Sequence, residues 1–178
     1  MIRKFPHRAQ RPLRFLVLAA CTLLPAALLT ACNSSEVAET SPPQSPFRVH
    51  QIYNPSVDAA AEIHQALAEA ARQHKRVLLD FGGNWCGDCQ ILDYYFHQQP
   101  DAALIAQDYI LVDVDVGQMD HNMNIAAQYD MPLKHGVPAL AVLDAQGDVV
   151  YGQTGGQFSD MGRVDPSLVT EFLERWKG

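Results

Sequence analysis

The sequence predicts an α/β domain built on a central mixed β-sheet with helices on both faces. Three observations carry that expectation. Short apolar runs rich in β-formers alternate with segments of helical spacing from residue 58 onward. The order closes with a hairpin and a final helix, so at least one strand must run antiparallel to the rest. One strand passes almost directly into a helix through Trp85-Cys86-Gly87-Asp88-Cys89, two cysteines spaced to close a small disulfide ring or to hold it open as a dithiol.

Taken in order, Val49 to Tyr53 reads as a short edge strand. Asp58 to His74 is a helix, with Ala60, Ile63, Leu67 and Ala71 at helical spacing and Ser56 placed as its cap. Arg76 to Phe81 is a buried central strand, and Cys86 to Gln98 is the helix that follows it. Pro100 interrupts that helix, because a proline lacks the amide a helix interior needs, and Asp101 to Gln107 adds a further turn or two. Tyr109 to Val116 is a strand and Met123 to Tyr129 a short helix. Pro138 to Asp144 and Val149 to Gly152 pair through a turn at Gln146-Gly147. Pro166 to Lys177 is the last helix, with Asp165 at its cap and Pro166 in its first turn. No internal repeat is visible.

Ahead of this domain lies a leader. Arg3, Lys4, Arg8, Arg11 and Arg14 precede an apolar stretch from Phe15 to Leu29, the layout of a secretory signal. The stretch is short, contains Pro25 and lacks a basic stop-transfer flank, which favours a signal over a transmembrane anchor. It ends in Leu29-Thr30-Ala31-Cys32, which resembles the bacterial lipobox, where the signal is cut before a cysteine that becomes lipidated. Three regions follow: a lipoprotein signal over 1–31, a polar, proline-rich tether over 32–47, and the folded domain over 48–178. The lipid on Cys32 is then the contact with the membrane. Asn33, where an Asp would retain a lipoprotein at the inner membrane, leans toward the outer membrane.

Cysteine usage sharpens the chemistry. Cys21 leaves with the signal and Cys32 carries lipid, so Cys86 and Cys89 are the thiols of the mature chain. Export places them where disulfides form, and such a pair is redox-active or metal-binding. Zinc usually takes four ligands; there is no second cysteine pair, and His121 and His135 qualify only if the fold brings them close. Charge excludes another class. Removal of the five leader cations leaves eight basic against twenty acidic residues, a net charge of −12, unsuited to nucleic acid.

The placement of the motif favours redox work. Unpaired amides and the dipole at a helix N-terminus stabilise an anion, and the thiolate is the nucleophile of disulfide exchange. Asp80-Phe81 followed by Trp85-Cys86-Gly87-Asp88-Cys89, with Gly136-Val137-Pro138-Ala139 about fifty residues later, resembles the thioredoxin family. Val112-Asp113-Val114-Asp115, Leu140-Ala141-Val142-Leu143 and Gly155-Gly156 sit where that family's later strands and glycine belong, and the likeness covers roughly residues 50 to 177.

The resemblance implies a thioredoxin fold and a thiol–disulfide oxidoreductase that needs no cofactor. It implies Cys86 as attacking thiol, Cys89 as resolving thiol, Asp80 as the buried acid behind the second cysteine, and a cis Pro138 that presents the backbone of Val137 to an extended substrate. Trp85, Gly87 and Asp88 complete the substrate-facing rim. Two departures stand out. Asp88 replaces the family's usual proline, and its charge opposes a neighbouring thiolate. Asp113 stands where a lysine is usual beside the buried acid, which puts the tuning of Asp80 in question. Lys134 and His135 lie next to the Pro138 loop, within reach of a substrate. The partners implied are exported protein disulfides and a membrane thiol reductant on the periplasmic side of a bacterial membrane. A disulfide donor and a copper- or zinc-binding module remain the alternatives.

Overall fold

Burial along Arg76–Gly82 explains why this segment, β1, is central: every residue from Val77 onward is buried. The computed structural model describes residues 49–178. The expectations for the signal over 1–31, for Cys32 and for the tether over 32–47 lie outside the described residues. β1 pairs in parallel with β2 (Tyr109–Asp115) and antiparallel with β3 (Ala139–Leu143), which pairs antiparallel with β4 (Val149–Gly152). The sheet order is β2-β1-β3-β4, a mixed sheet as the sequence predicts. Side chains alternate between two cores. Val77, Leu79 and Phe81 of β1 join Val112, Val114, Ala139 and Ala141 beneath α1 (Ala59–Gln73). Leu78, Leu140 and Val142 join Leu92 and Phe96 of α2 (Gly87–Phe96) and Val169, Phe172 and Leu173 of α5 (Ser167–Trp176). Helices therefore cover both faces.

Pro100 does separate two helices: α2 ends at Phe96 and α3 runs Asp101–Asp108, with the Gln99–Pro100 peptide cis. α4 (Met123–Gln128) leads to a 3-10 turn, Leu133–His135, that periodicity does not reveal. The hairpin turn is organised by Asp144, whose carboxylate accepts from the amides of Gln146 and Asp148, with Gly147 at φ 89°. Asp165 accepts from the Ser167 amide at the start of α5. Among the described residues no helix is long and apolar enough to cross a membrane.

Two expectations are corrected. Val49 to Tyr53 forms no strand. Its amides are taken instead by side chains: Asn84 Oδ1 accepts from the amides of Ile52 and Tyr53, and Gln90 Oε1 accepts from the amide of His50. Side-chain amides replace a ladder, so no strand partner is needed. The cap of α1 is Asp58 rather than Ser56: the Asp58 carboxylate accepts from the Ala61 amide at 3.1 Å, whereas Ser56 lies two residues too early.

Candidate active site

Cys86 and Cys89 form a disulfide, with their Cα atoms 5.3 Å apart. The junction arises because β1 ends at Gly82 and four residues later the chain turns into α2, with Cys86 as N-cap in extended conformation. The Cys89 amide donates to Cys86 Sγ at 3.1 Å. One of the orphan amides of the helix start thus already points at the sulfur that would carry charge in the reduced state. Cys86 keeps a trace of exposure (5%) and Cys89 none, so an incoming substrate reaches Cys86 first.

The loop before β3 closes the site from the other side. The Val137–Pro138 peptide is cis, and the Val137 carbonyl oxygen stands 3.4 Å from Cys86 Sγ. A disulfide sulfur has no proton to give, so this is a close approach; in the dithiol the same oxygen can accept from Cys86. Val137 and Pro138 are themselves buried. Gly87 is exposed, and a side chain there would meet nothing within 4 Å, which leaves room beside the disulfide.

Trp85 is half exposed (52%), so it belongs to the rim rather than the core. Its indole N–H donates to the Gly117 carbonyl, and the ring lies over Gly83. Consecutive aromatics of α2 divide as a helix requires: Tyr94 is exposed, Tyr95 half-buried and Phe96 in the core. Asp88 is half-buried, and its Oδ1 accepts from the Gly162 amide at 3.3 Å, so this side chain ties α2 to the loop before α5. Lys134 and His135 are exposed on the 3-10 turn. His121 is bound elsewhere, with its Nδ1 2.9 Å from Asp115 Oδ2. Among the described residues no group of three or more His, Cys, Asp or Glu is placed to hold a metal ion.

Asp80 is buried (1% exposed) beneath this surface. Its Oδ2 accepts from the Tyr53 hydroxyl at 2.8 Å. Burial raises its pKa well above the ordinary carboxylate value, the Asp113 and Asp93 charges raise it further, and the Tyr53 hydrogen bond pulls it back. Asp113 is the register partner of Asp80 on β2. Burial, with Asp93 and Glu62 nearby, raises it to about 7, against a smaller lowering by His97. Sequence reading did not single out Tyr53, which carries no motif signal and lies 27 positions from its partner. Nor did it find Asn84, which fixes the Tyr53 backbone from within the Asn84-Trp85-Cys86 run.

Comparison with known proteins agrees with this geometry. A family profile described as Thioredoxin-like matches residues 58–145. The chain is 32% identical over 130 residues to the thiol:disulfide interchange protein DsbD of Salmonella typhi, a match that covers 70% of this chain and 21% of that protein. It is 35% identical over 71 residues to a thioredoxin of Mycoplasmoides gallisepticum, covering 40% of this chain and 61% of that protein. The chain thus spans between 14% and 21% of the length of the DsbD relatives it matches. Among solved structures, a disulphide isomerase from Xylella fastidiosa superposes with a TM-score of 0.68 at 34% identity, covering 72% of this chain and 98% of that one. With that likeness, the sheet order and a Cys86–Cys89 pair set at a helix start opposite a cis proline, the chain belongs to the thioredoxin-like family and is equipped for thiol–disulfide exchange.

Proposed function

We propose that this chain reduces disulfides of exported proteins while held by lipid at Cys32 on the periplasmic side of a bacterial membrane. The observation that carries the reading is the juxtaposition of Cys86 Sγ, the Cys89 amide and the Val137 carbonyl at the start of α2. Together they offer one accessible sulfur, a donor that stabilises its thiolate, and a backbone acceptor for an extended substrate. The relatives' names, a thiol:disulfide interchange protein and a disulphide isomerase, favour exchange over metal storage.

The cycle balances as follows. The Cys86 thiolate attacks one sulfur of a substrate disulfide; the other sulfur leaves with the bonding electrons and takes a proton from water. Cys89 then attacks Cys86 in the mixed disulfide, the second substrate sulfur leaves in the same way, and the chain is left as the observed disulfide. A dithiol reductant in the membrane returns the two electrons. Trp85, Gly87, Asp88 and Val137 form the substrate rim, Pro138 shapes the loop opposite the thiols, and Asp80 takes the proton of the resolving thiol.

The deciding measurement is the reduction potential of the Cys86–Cys89 pair. A value near or below about −270 mV supports a reductase; a value near about −120 mV replaces this reading with a disulfide donor. In single turnovers Cys86→Ser should abolish reduction of a test disulfide, and Cys89→Ser should accumulate the mixed disulfide, detectable by mass. Accumulation on Cys86→Ser instead would reverse the two roles.

A further inference from the structure

We propose that Tyr53 is a positioning residue for the resolving step, its phenol relaying to Asp80 the proton that Cys89 gives up. The inference deepens the exchange reading above and rests on it. Tyr53 precedes the residues, 58–145, that the family profile matches.

Tyr53 is 1% exposed, and its one polar side-chain atom donates to Asp80 Oδ2 at 2.8 Å. Its backbone is clamped on both sides by Asn84, which accepts from the Tyr53 amide at 3.0 Å and donates to its carbonyl at 2.6 Å. Gly82 locates the phenol relative to the sulfur. A side chain beginning at Gly82 would run into the Tyr53 hydroxyl and lie 3.0 Å from Cys89 Sγ, so the two atoms converge on the space that the glycine leaves free. Asp80 Oδ1 has no hydrogen-bond partner among the described residues. A buried carboxyl with one oxygen unpaired is costly to keep as structure alone.

The surrounding charges suit a relay. Asp80 faces Asp113 from β2 and Asp93 from α2, and Tyr53 faces the same two; Asp113 in turn faces Glu62 of α1 and His97 beyond α2. Burial and these acids lift the phenol far above its ordinary range, so it does not ionise and releases its proton only as it receives another. Burial, with Asp113 next, also raises Asp80 well above the ordinary carboxylate range, which makes its carboxylate a better acceptor for that proton. In the resolving step the Cys89 proton moves to the phenol oxygen and the phenol proton to Asp80 Oδ2. The Cys89 electron pair forms the bond to Cys86, and the Cys86–substrate bond breaks. The substrate sulfur leaves with that pair and is protonated by water.

Stopped-flow oxidation of the reduced full chain by 5,5′-dithiobis(2-nitrobenzoate) separates the steps, using Cys21→Ser and Cys32→Ser so that two thiols remain. The first thiolate release is bimolecular and reports Cys86; the second is unimolecular and reports Cys89. Wild-type chain that shows neither phase would remove the exchange reading itself. With both phases present, Tyr53→Phe should slow the second at least about tenfold, flatten its pH profile and leave the first unchanged. Adding Asp80→Asn to Tyr53→Phe should slow it no further. An unchanged second phase, or slowing that is additive with Asp80→Asn, overturns the relay. If Tyr53→Phe alters both phases because the site has collapsed, the wild-type chain decides. A curved dependence of the second rate on deuterium fraction supports two protons in flight, and a linear one overturns the proposal.

Discussion

Asp88 carries a charge that its loop contact does not need. Its Oδ1 accepts from the Gly162 amide, a bond that an asparagine keeps. Asp88→Asn therefore removes the charge beside Cys86 while the loop stays tied. The expected result is a Cys86 thiolate that forms roughly one pH unit lower and a pair about 30 mV more oxidising. Alkylation against pH and a glutathione redox titration read both; unchanged curves would make Asp88 a loop anchor alone. Asp113 gives a pH prediction of definite sign. It holds its proton to about 7 in the folded chain and to about 3.8 when solvated, so between these values the folded state binds the extra proton. Its contribution is present below about pH 4 and lost as pH rises through about 7. The effect is at most about 4 kcal/mol, and less to the extent that water screens a half-buried carboxyl. Urea unfolding of the oxidised chain should therefore show falling stability from pH 4 to 7, and Asp113→Asn should flatten the slope. A slope that survives the substitution would assign it to Asp80 instead.

At the scale of elements, the segment before α1 shows how a chain is fixed without regular structure. Asn84 makes three hydrogen bonds to the backbone of Ile52 and Tyr53, and Gln90 accepts from His50. Asn84→Ala leaves those part-buried groups unpaired, at about 1–3 kcal/mol. It should also loosen Tyr53 over Asp80. Denaturant unfolding measures the first, and protection of the Tyr53 amide from hydrogen exchange the second. Loss of stability with Tyr53 protection intact would show that the segment is held by its buried side chains rather than by Asn84. The site forms where two elements join. β1 delivers Asp80 and ends at Gly82, and α2 begins with Cys86, so a strand–helix turn of four residues sets the acid behind the thiols.

At the scale of the whole molecule, the proposed lipid anchor at Cys32 would decide which disulfides the site meets. If Cys32 carries lipid, the chain should partition into detergent and label with fatty acid, and Cys32→Ala should eliminate both. More than one acyl chain holds firmly against salt washing, where a single chain does not. A tether over residues 33–47, as proposed, would span at most about 50 Å, at roughly 3.1–3.6 Å per residue. Cys32→Ala should then keep its exchange activity in solution but lose a membrane-bound partner in cells. Wild-type chain recovered in the soluble fraction with a free thiol at Cys32 would mean ordinary secretion.

The sequence by itself determined the alternation of strands and helices, because that signal is local. Val77, Leu79 and Phe81 share one face by a period of two, and helical faces repeat within one turn. It also determined the redox pair, since Cys86 and Cys89 lie one turn apart at a strand–helix junction, and it marked Pro138 for a cis bond through its motif. Only the tertiary structure decided what surrounds them. Trp85 meets Gly117 across 32 positions, Asp88 meets Gly162 across 74, and Tyr53 meets Asp80 across 27. Val49 to Tyr53 has the composition of a strand, yet the side-chain oxygens of Asn84 and Gln90 accept from its backbone in place of a neighbouring strand. Such contacts follow from the packing of the whole sheet and its helices, and no window of neighbouring residues contains the partner.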